Sequence, residues 1–394
     1  MNAALSAASE DQIVFDLEGI ERKYDSLLRE LPGISVRFAM KSCPVDDVLA
    51  CLARKGAGFD AASPDEIAQA LRTTVPAVRV HYGNTIKSDR QIAEAYRMGI
   101  RTFATDSVED VEAIAASAAG VRVFCRLATS GDGALWGLSR KCGCSGADAV
   151  AVLERARLRG LTPSGLSIHV GSQQMTAEAW QQAFASVGDV LLALHARGIS
   201  LDHINLGGGL PALGYVDRRG RPLHPPMDRI FAALRAGMTR IRRMSASDLR
   251  FIIEPGRFLV ADQGAIRAHV SRLSSRQQLG GEREHWLYLS CGKFNGLYET
   301  DKLQYRLVFP SHADAEYVPA FIAGPTCDSD DAFGDESNLV PVPRWAASGD
   351  PVWILSCGAY STSYTTQGFN GFRPLPLTCI HGRDRDHVRD VSAP

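Results

Sequence analysis

The chain has 394 residues, 45% hydrophobic and 22% charged, with a formal net charge of −1. Its length exceeds one ordinary domain, and its composition is that of a soluble globular protein. The balanced charge excludes a basic nucleic-acid footprint, and no apolar run reaches the ~20 residues of a membrane span. The first ten residues lack the basic-then-apolar order of a signal peptide, so none is expected. Nine cysteines, an odd number without a C-x-x-C pair, read as free thiols of a cytoplasmic protein. Cys142-Gly-Cys144 is too tight for a zinc knuckle, and no metal site is expected.

Short apolar runs alternate with amphipathic stretches along the first two thirds of the chain. The runs are Val36–Lys41, Gly58–Ser63, Val78–Asn84, Thr102–Ser107, Val121–Leu127, Leu166–Ser172, His203–Gly209 and Phe251–Arg257. Helices are expected at Asp65–Arg72, Asp89–Met98, Val108–Ala118, Ala147–Arg159, Ala177–Arg197 and Met227–Arg243, with Ser88 and Ser107 as N-caps. Eight such alternations predict an α/β fold, a (β/α)8 TIM-like barrel spanning 20–262. Polar residues collect at the C-terminal ends of the runs, the rim where such barrels carry their sites. Beyond about residue 262, runs such as Ile266–Leu273, His285–Ser290, Tyr317–Ala323 and Val352–Ser356 sit between Gly, Pro and Asp clusters. They predict an all-β domain over 263–394, to which residues 1–19 add a strand ending near Phe15. Gly214–Pro226 and Asp330–Asp350 read as loops.

The chemistry lies at the run ends. Glu254-Pro-Gly-Arg257 places an acid and a guanidinium three positions apart where a strand turns. The acid can hold a proton on a ring nitrogen and the Arg can grip a phosphate. Pyridoxal 5'-phosphate needs both, and a lysine for its aldehyde. Lys41 ends the first run; alone it is a solvated lysine, but a desolvated one forms Schiff bases readily. His169 lies in an apolar run just before Gly171 and Ser172 and can stack on a planar ring. Gly207-Gly208-Gly209 lets backbone N–H groups approach a phosphate, though it lacks the spacing of a dinucleotide or P-loop motif. Cys327-Asp328, Gly358-Ala-Tyr360 and Gly368-Phe-Asn-Gly-Phe372 are loop elements of the second domain, indistinct when taken singly.

Together these segments resemble the fold type III pyridoxal phosphate-dependent decarboxylases. The resemblance runs from about Val14 to Ile380 and includes Gly58-Phe-Asp-Ala-Ala-Ser63 with Glu66, His81-Tyr-Gly-Asn-Thr-Ile-Lys87 and Gly324-Pro-Thr-Cys-Asp-Ser329. It is greatest to bacterial ornithine/lysine decarboxylases. It implies that Lys41 binds the cofactor aldehyde, Glu254 keeps the ring nitrogen protonated and His169 stacks on the ring. It implies that Arg257, Gly207, Gly208, Gly209, Ser172 and Tyr360 hold the phosphate, with Asp60, Glu66 and Arg126 nearby. Cys327 would protonate Cα and Asp328 would face the distal amine, both from a partner subunit, while Phe369 and Asn370 line the shared site. A homodimer with shared sites follows, acting on a basic L-amino acid, ornithine or lysine by default, to give a diamine for polyamine biosynthesis.

The chain also departs from that family. Ser290 and Cys291 stand where an acid that reads the side chain is expected, so Cys291 becomes the substrate-side candidate. Glu299 or Asp301 could compensate, or the substrate is a tailored amino-acid-containing metabolite. Cys142 replaces an expected Phe. Diaminopimelate fits less well, because its decarboxylases carry Cys-Glu rather than Cys-Asp. An alanine-racemase-like enzyme would place an Arg under the ring nitrogen, where Glu254 stands. A non-catalytic regulatory homologue would lose the lysine or the thiol, and both Lys41 and Cys327 are present.

Overall fold

The computed structural model describes residues 1–394 except 139, 246, 247, 278, 280, 335–337 and 383–394. Eight parallel strands close a barrel: Ile34–Ala39, Gly58–Ala61, Val80–Tyr82, Thr102–Thr105, Arg122–Arg126, Thr162–Ser167, His203–Asn205 and Arg250–Ile253. The last pairs with the first, Phe251 opposite Ile34. Phe38, Phe59, Phe103, Phe124 and Phe251 are wholly buried, which explains why these segments prefer extended backbone over helix. Serine caps start the intervening helices. Ser63, Ser88, Ser107 and Ser145 each accept a hydrogen bond from the backbone N–H three residues on, and Ser88 forms a full capping box with Gln91.

The strands are shorter than the apolar runs. Expected runs ending at Lys41, Ser172, Gly209 and Arg257 leave the ladder at Ala39, Ser167, Asn205 and Ile253. Their polar ends therefore lie outside the barrel ladder. Ser172 begins a separate strand, Ser172–Gln174, which pairs with Ala134–Trp136 rather than with the barrel.

The chain divides into two compact units. One is Lys23–Pro211 with Pro225–Gly256, the barrel. The other is Met1–Arg22, Ala212–His224 and Arg257–Pro394. These bounds differ from the expected breaks after 19 and 262, and they assign 212–224 to the strand-rich unit. The cause is local: Tyr215 bonds to Arg257, and Val216 bridges to Gln304.

The strand-rich unit holds an eight-stranded sheet centred on Gly264–Gln277. Gln12–Asp16 runs antiparallel to its start and parallel to Leu377–Ile380. Asp330–Asp350 is not all loop, as Val340–Pro343 pairs with Tyr317–Ala320. Pro341 and Pro343 disguise that strand, and its place at the sheet edge is where proline is tolerated. The helix Asn2–Ala7, unforeseen in the sequence, packs Leu5 against Val14 and Ala265.

Candidate active site

Strand register gathers the barrel's charged groups. Ala39 lies opposite Asp60, and Asp60 opposite His81, so Asp60 and His81 share a face of adjacent strands. The His81 Nε2–H donates to Asp60 Oδ1 at 3.1 Å and to Glu254 Oε1 at 2.9 Å. Glu254 follows the strand Arg250–Ile253 directly. Its Oε1 also accepts from Asn205 Nδ2, while Asn205 Oδ1 accepts from Gly207 N at 2.9 Å. One amide thus ties the carboxylate to the start of the glycine run.

The two ends of that run must be glycine. Gly207 has φ +61, and a Cβ there would lie 2.0 Å from the Ile168 carbonyl oxygen. At Gly209, with φ +112, a Cβ would meet the Gly171 oxygen at 2.7 Å. Between them, a Cβ on Gly208 would lie 3.1 Å from the Glu254 carbonyl oxygen and 3.2 Å from the His169 ring. A bare, sharply bent backbone therefore lies beside the His169 ring and the Glu254 main chain.

Lys41 sits in the short 3₁₀ turn Met40–Ser42 that follows the first barrel strand, with its side chain exposed. Arg126 ends the strand Arg122–Arg126. Both cations act on the same neighbours. Burial, then Arg126 and Lys41, push the His169 pKa down to about 3, so that ring is neutral. Burial pushes Asp60 up, but the hydrogen bond and charge of His81, with Lys41 and Arg126, hold it below the usual carboxylate range. Burial pushes His81 down, yet its bonds to Asp60 and Glu254 raise it from 6.5 to about 9. Burial raises Glu66 despite the 2.7 Å bond that its carboxylate accepts from Ala62 N.

These opposed shifts set a pH window. The folded pKa of His81 exceeds its ordinary value, so its stabilising charge is fully present below about 6.5 and lost as pH rises through about 9. Asp60 is depressed, so its contribution is present above about 3.8 and lost as pH falls. Urea unfolding of the cofactor-free protein is expected to show a plateau between those limits. His81→Ala is expected to abolish the alkaline shoulder.

The strand-rich unit carries a second group. Arg257, only 4% exposed, donates from Nη1 to Glu299 Oε2 at 2.6 Å and to Tyr215 Oη at 3.0 Å, and from Nη2 to Glu299 Oε1 at 2.5 Å. Its guanidinium lies 4.8 Å from the Tyr360 ring centre. Burial raises Tyr215, keeping that phenol neutral. Glu299 is thus fully engaged, and Asp301 pairs with Lys293 at 2.6 Å. Neither stands open as the compensating acid. Cys291 is 0% exposed with its thiol pushed up by burial, and Ser290 is bonded to His269. The segment therefore presents no carboxylate.

Cys327 and Asp328 are exposed on one loop. Asn370 Oδ1 accepts from Cys327 N at 3.1 Å and lies 3.3 Å from its Sγ, while Phe369 stacks on Phe294 at 4.4 Å. Buried Asp331 pins the loop by accepting from Lys293 N, Thr326 N and Thr326 Oγ1.

The sequence reading did not single out His81, Asn205, Asp331, Tyr215 or Glu299 for these roles. A polar residue inside an apolar run was the available signal for His81 and Asn205. Nothing local marks Asp331 among its acidic neighbours.

The family model "Pyridoxal-dependent decarboxylase, pyridoxal binding domain" matches residues 17–261. The chain belongs to the pyridoxal-dependent decarboxylases. This decarboxylase is 26% identical to Decarboxylase flvG of Aspergillus flavus over 92% of its own length and 84% of that protein. It is 27% identical to the lysine/ornithine decarboxylase of Selenomonas ruminantium, covering 92% and 88%. Its structure matches the putrescine-bound lysine/ornithine decarboxylase of Vibrio vulnificus with a TM-score of 0.82 and 26% identity, covering 96% of each chain.

The decarboxylase uses pyridoxal 5'-phosphate, and the residues present fit that group. The barrel offers an amine for the aldehyde, a carboxylate for the ring nitrogen, a neutral imidazole for the ring face and bare backbone for a phosphate. Among the described residues, no helix is long and apolar enough to cross a membrane.

Proposed function

We propose that this decarboxylase removes the α-carboxyl of a basic L-amino acid, ornithine or lysine by default, as CO2 and leaves a diamine. The observation that carries this reading is the placement of Lys41, His169 and Glu254 just beyond barrel strand ends, with Glu254 fixed by His81 and Asn205. The cofactor supplies an electron sink for the bonding pair left on Cα. Lys41 holds its aldehyde, Glu254 its ring nitrogen and His169 its face. Gly207, Gly208, Gly209, Ser172, Arg257 and Tyr360 hold its phosphate, and Asp60 and Arg126 set the charge around them. Carbon dioxide departs, and a proton from the Cys327 thiol of a second copy replaces it on Cα. Exposure of Cys327 and Asp328 on a pinned loop supports a homodimer with shared sites. Asp328 then faces the distal amine, beside Phe369 and Asn370.

Lys41→Ala is expected to abolish the covalent cofactor absorbance band and to reduce CO2 release from ornithine and lysine to background. CO2 release by that variant at the wild-type rate would overturn the assignment.

A second reading has its own observation. With Cys291 buried, and Glu299 and Asp301 engaged, Asp328 is the one candidate carboxylate remaining from the sequence reading for a distal cation. A substrate whose distal amine is acylated or carrier-linked fits such a site. CO2 release from an N-acylated diamino acid, measured beside ornithine and lysine, separates the two.

A further inference from the structure

The proposed chemistry uses Glu254, but it does not by itself require a buried histidine cation between Glu254 and Asp60. His81 is 2% exposed, and its Nε2 lies between two carboxylates whose nearest oxygens are within 4.8 Å of one another. Two carboxylates that close and largely withdrawn from water disfavour ionising together unless a cation lies between them. Asp60 packs so tightly over bare Gly83 that a Cβ there would lie 1.7 Å from Asp60 Oδ1. Glu254 is fixed by Asn205. Neither acid has an easy route away from the other, so the counter-charge must come to them.

We infer that His81 is a positioning residue. Its imidazolium is the built-in counter-ion that keeps Asp60 and Glu254 ionised together and leaves the cluster with one net negative charge beside the glycine run.

Other cations do not replace it. Lys41 and Arg126 also act on Asp60, and Arg37 on Glu254, through charge, but His81 lies within hydrogen-bonding distance of both acids at once. His203, across Phe124 from His81, is buried and pushed down by that burial despite its bond to Asp202, so it adds no cation. The ring of His81 is further fixed by Phe124, 5.2 Å away between centres. The position is over-determined: register sets its face, two acceptors set its Nε2–H, and an aromatic wall sets its plane.

The counter-ion role stands on the protein's own residues. Its consequence for the cofactor rests on the reading that Glu254 meets the ring nitrogen. One net negative charge balances one protonated ring nitrogen. Without the imidazolium, either a carboxylate takes the proton and Glu254 loses its charge, or two charges crowd one partner.

Two measurements test this separately. In cofactor-free protein, ¹⁵N-detected spectra of the imidazoles are expected to show His81 protonated at pH 7.5. Carbon-13 spectra of the carboxyls are expected to show both Asp60 and Glu254 ionised in wild type, and one of the pair protonated at pH 7.5 in His81→Gln. Gln keeps an N–H donor without the charge, so a merely structural role would leave the carboxyls unchanged. Both carboxyls still ionised in folded His81→Gln, or a neutral His81 in wild type, overturns the proposal. A His81→Lys variant that restores the ionised pair supports it where Gln perturbs folding.

The second measurement is equilibrium binding of pyridoxal 5'-phosphate, with His81→Gln expected to bind about tenfold more weakly than wild type. Failure of wild type to bind the cofactor through Lys41 would sink the functional reading while leaving the counter-ion result intact. An unchanged affinity in His81→Gln would overturn the cofactor consequence alone.

Discussion

Glu254→Gln is expected to lower kcat/KM by roughly a hundred- to a thousand-fold, the cost of removing one preorganised charge from a transition state. The effect follows from position. Glu254 ends the strand Arg250–Ile253 and is held by His81 and Asn205, so it cannot swing away to find water. Gln keeps the shape and the Asn205 contact after an amide flip, but it cannot balance a protonated ring nitrogen. The loss is expected chiefly in kcat, because charge matters most when the bonding pair is delivered into the ring. Single-turnover CO2 release with saturating substrate checks it. A change in KM alone would show that Glu254 only helps binding.

Glu299→Ala is expected to destabilise the strand-rich unit by about 3–5 kcal/mol, the cost of stranding one partner of a buried ion pair. Arg257 makes two short bonds to Glu299, and both side chains are almost wholly buried. A truncated Glu299 takes the only carboxylate of that group away from the guanidinium and leaves the neutral Tyr215 hydroxyl and Tyr360 ring beside it. The paired replacement Arg257→Met with Glu299→Leu is expected to recover most of the lost stability, because apolar side chains of similar volume avoid the desolvation cost. It should not recover cofactor affinity if Arg257 grips the phosphate. Urea midpoints and cofactor titrations of wild type and these two variants separate the structural duty of Arg257 from its binding duty.

Much of the architecture was legible because its signals are local. Ser88 and Ser107 announce helices by the chemistry of a side-chain oxygen three residues before a backbone N–H. The apolar runs announce the strands, but they overstate them. His169 and Ser172 share a run in the sequence, yet the backbone leaves the barrel after Ser167. Hydropathy records burial rather than ladder membership: Ile168 and Val170 are buried beyond the barrel strand, and Ser172 pairs with Trp136 in a separate strand.

Candidate residues at run ends were legible for the same reason that such ends line a barrel rim. The partnerships were not. Glu299 was read as a spare acid near the substrate, whereas it serves Arg257. That pairing depends on two residues 42 positions apart meeting in one unit, and no local pattern encodes it. His81 lies inside the segment His81–Lys87 with no local signal of a role, because its role is defined by Asp60 on one side and Glu254 on the other.

The loop bearing Cys327 has a thermodynamic consequence. Asp331 accepts three hydrogen bonds beneath it, and Asn370 braces the Cys327 backbone from above. An exposed loop held in this way has already surrendered its conformational freedom on folding. A second molecule that receives it need not supply the ordering free energy, on the order of 1 kcal/mol per immobilised side chain. Encounter then selects for fit and charge alone. For the proposed homodimer, assembly should show a small dependence on the loop's own flexibility and a large one on whatever loosens Asp331.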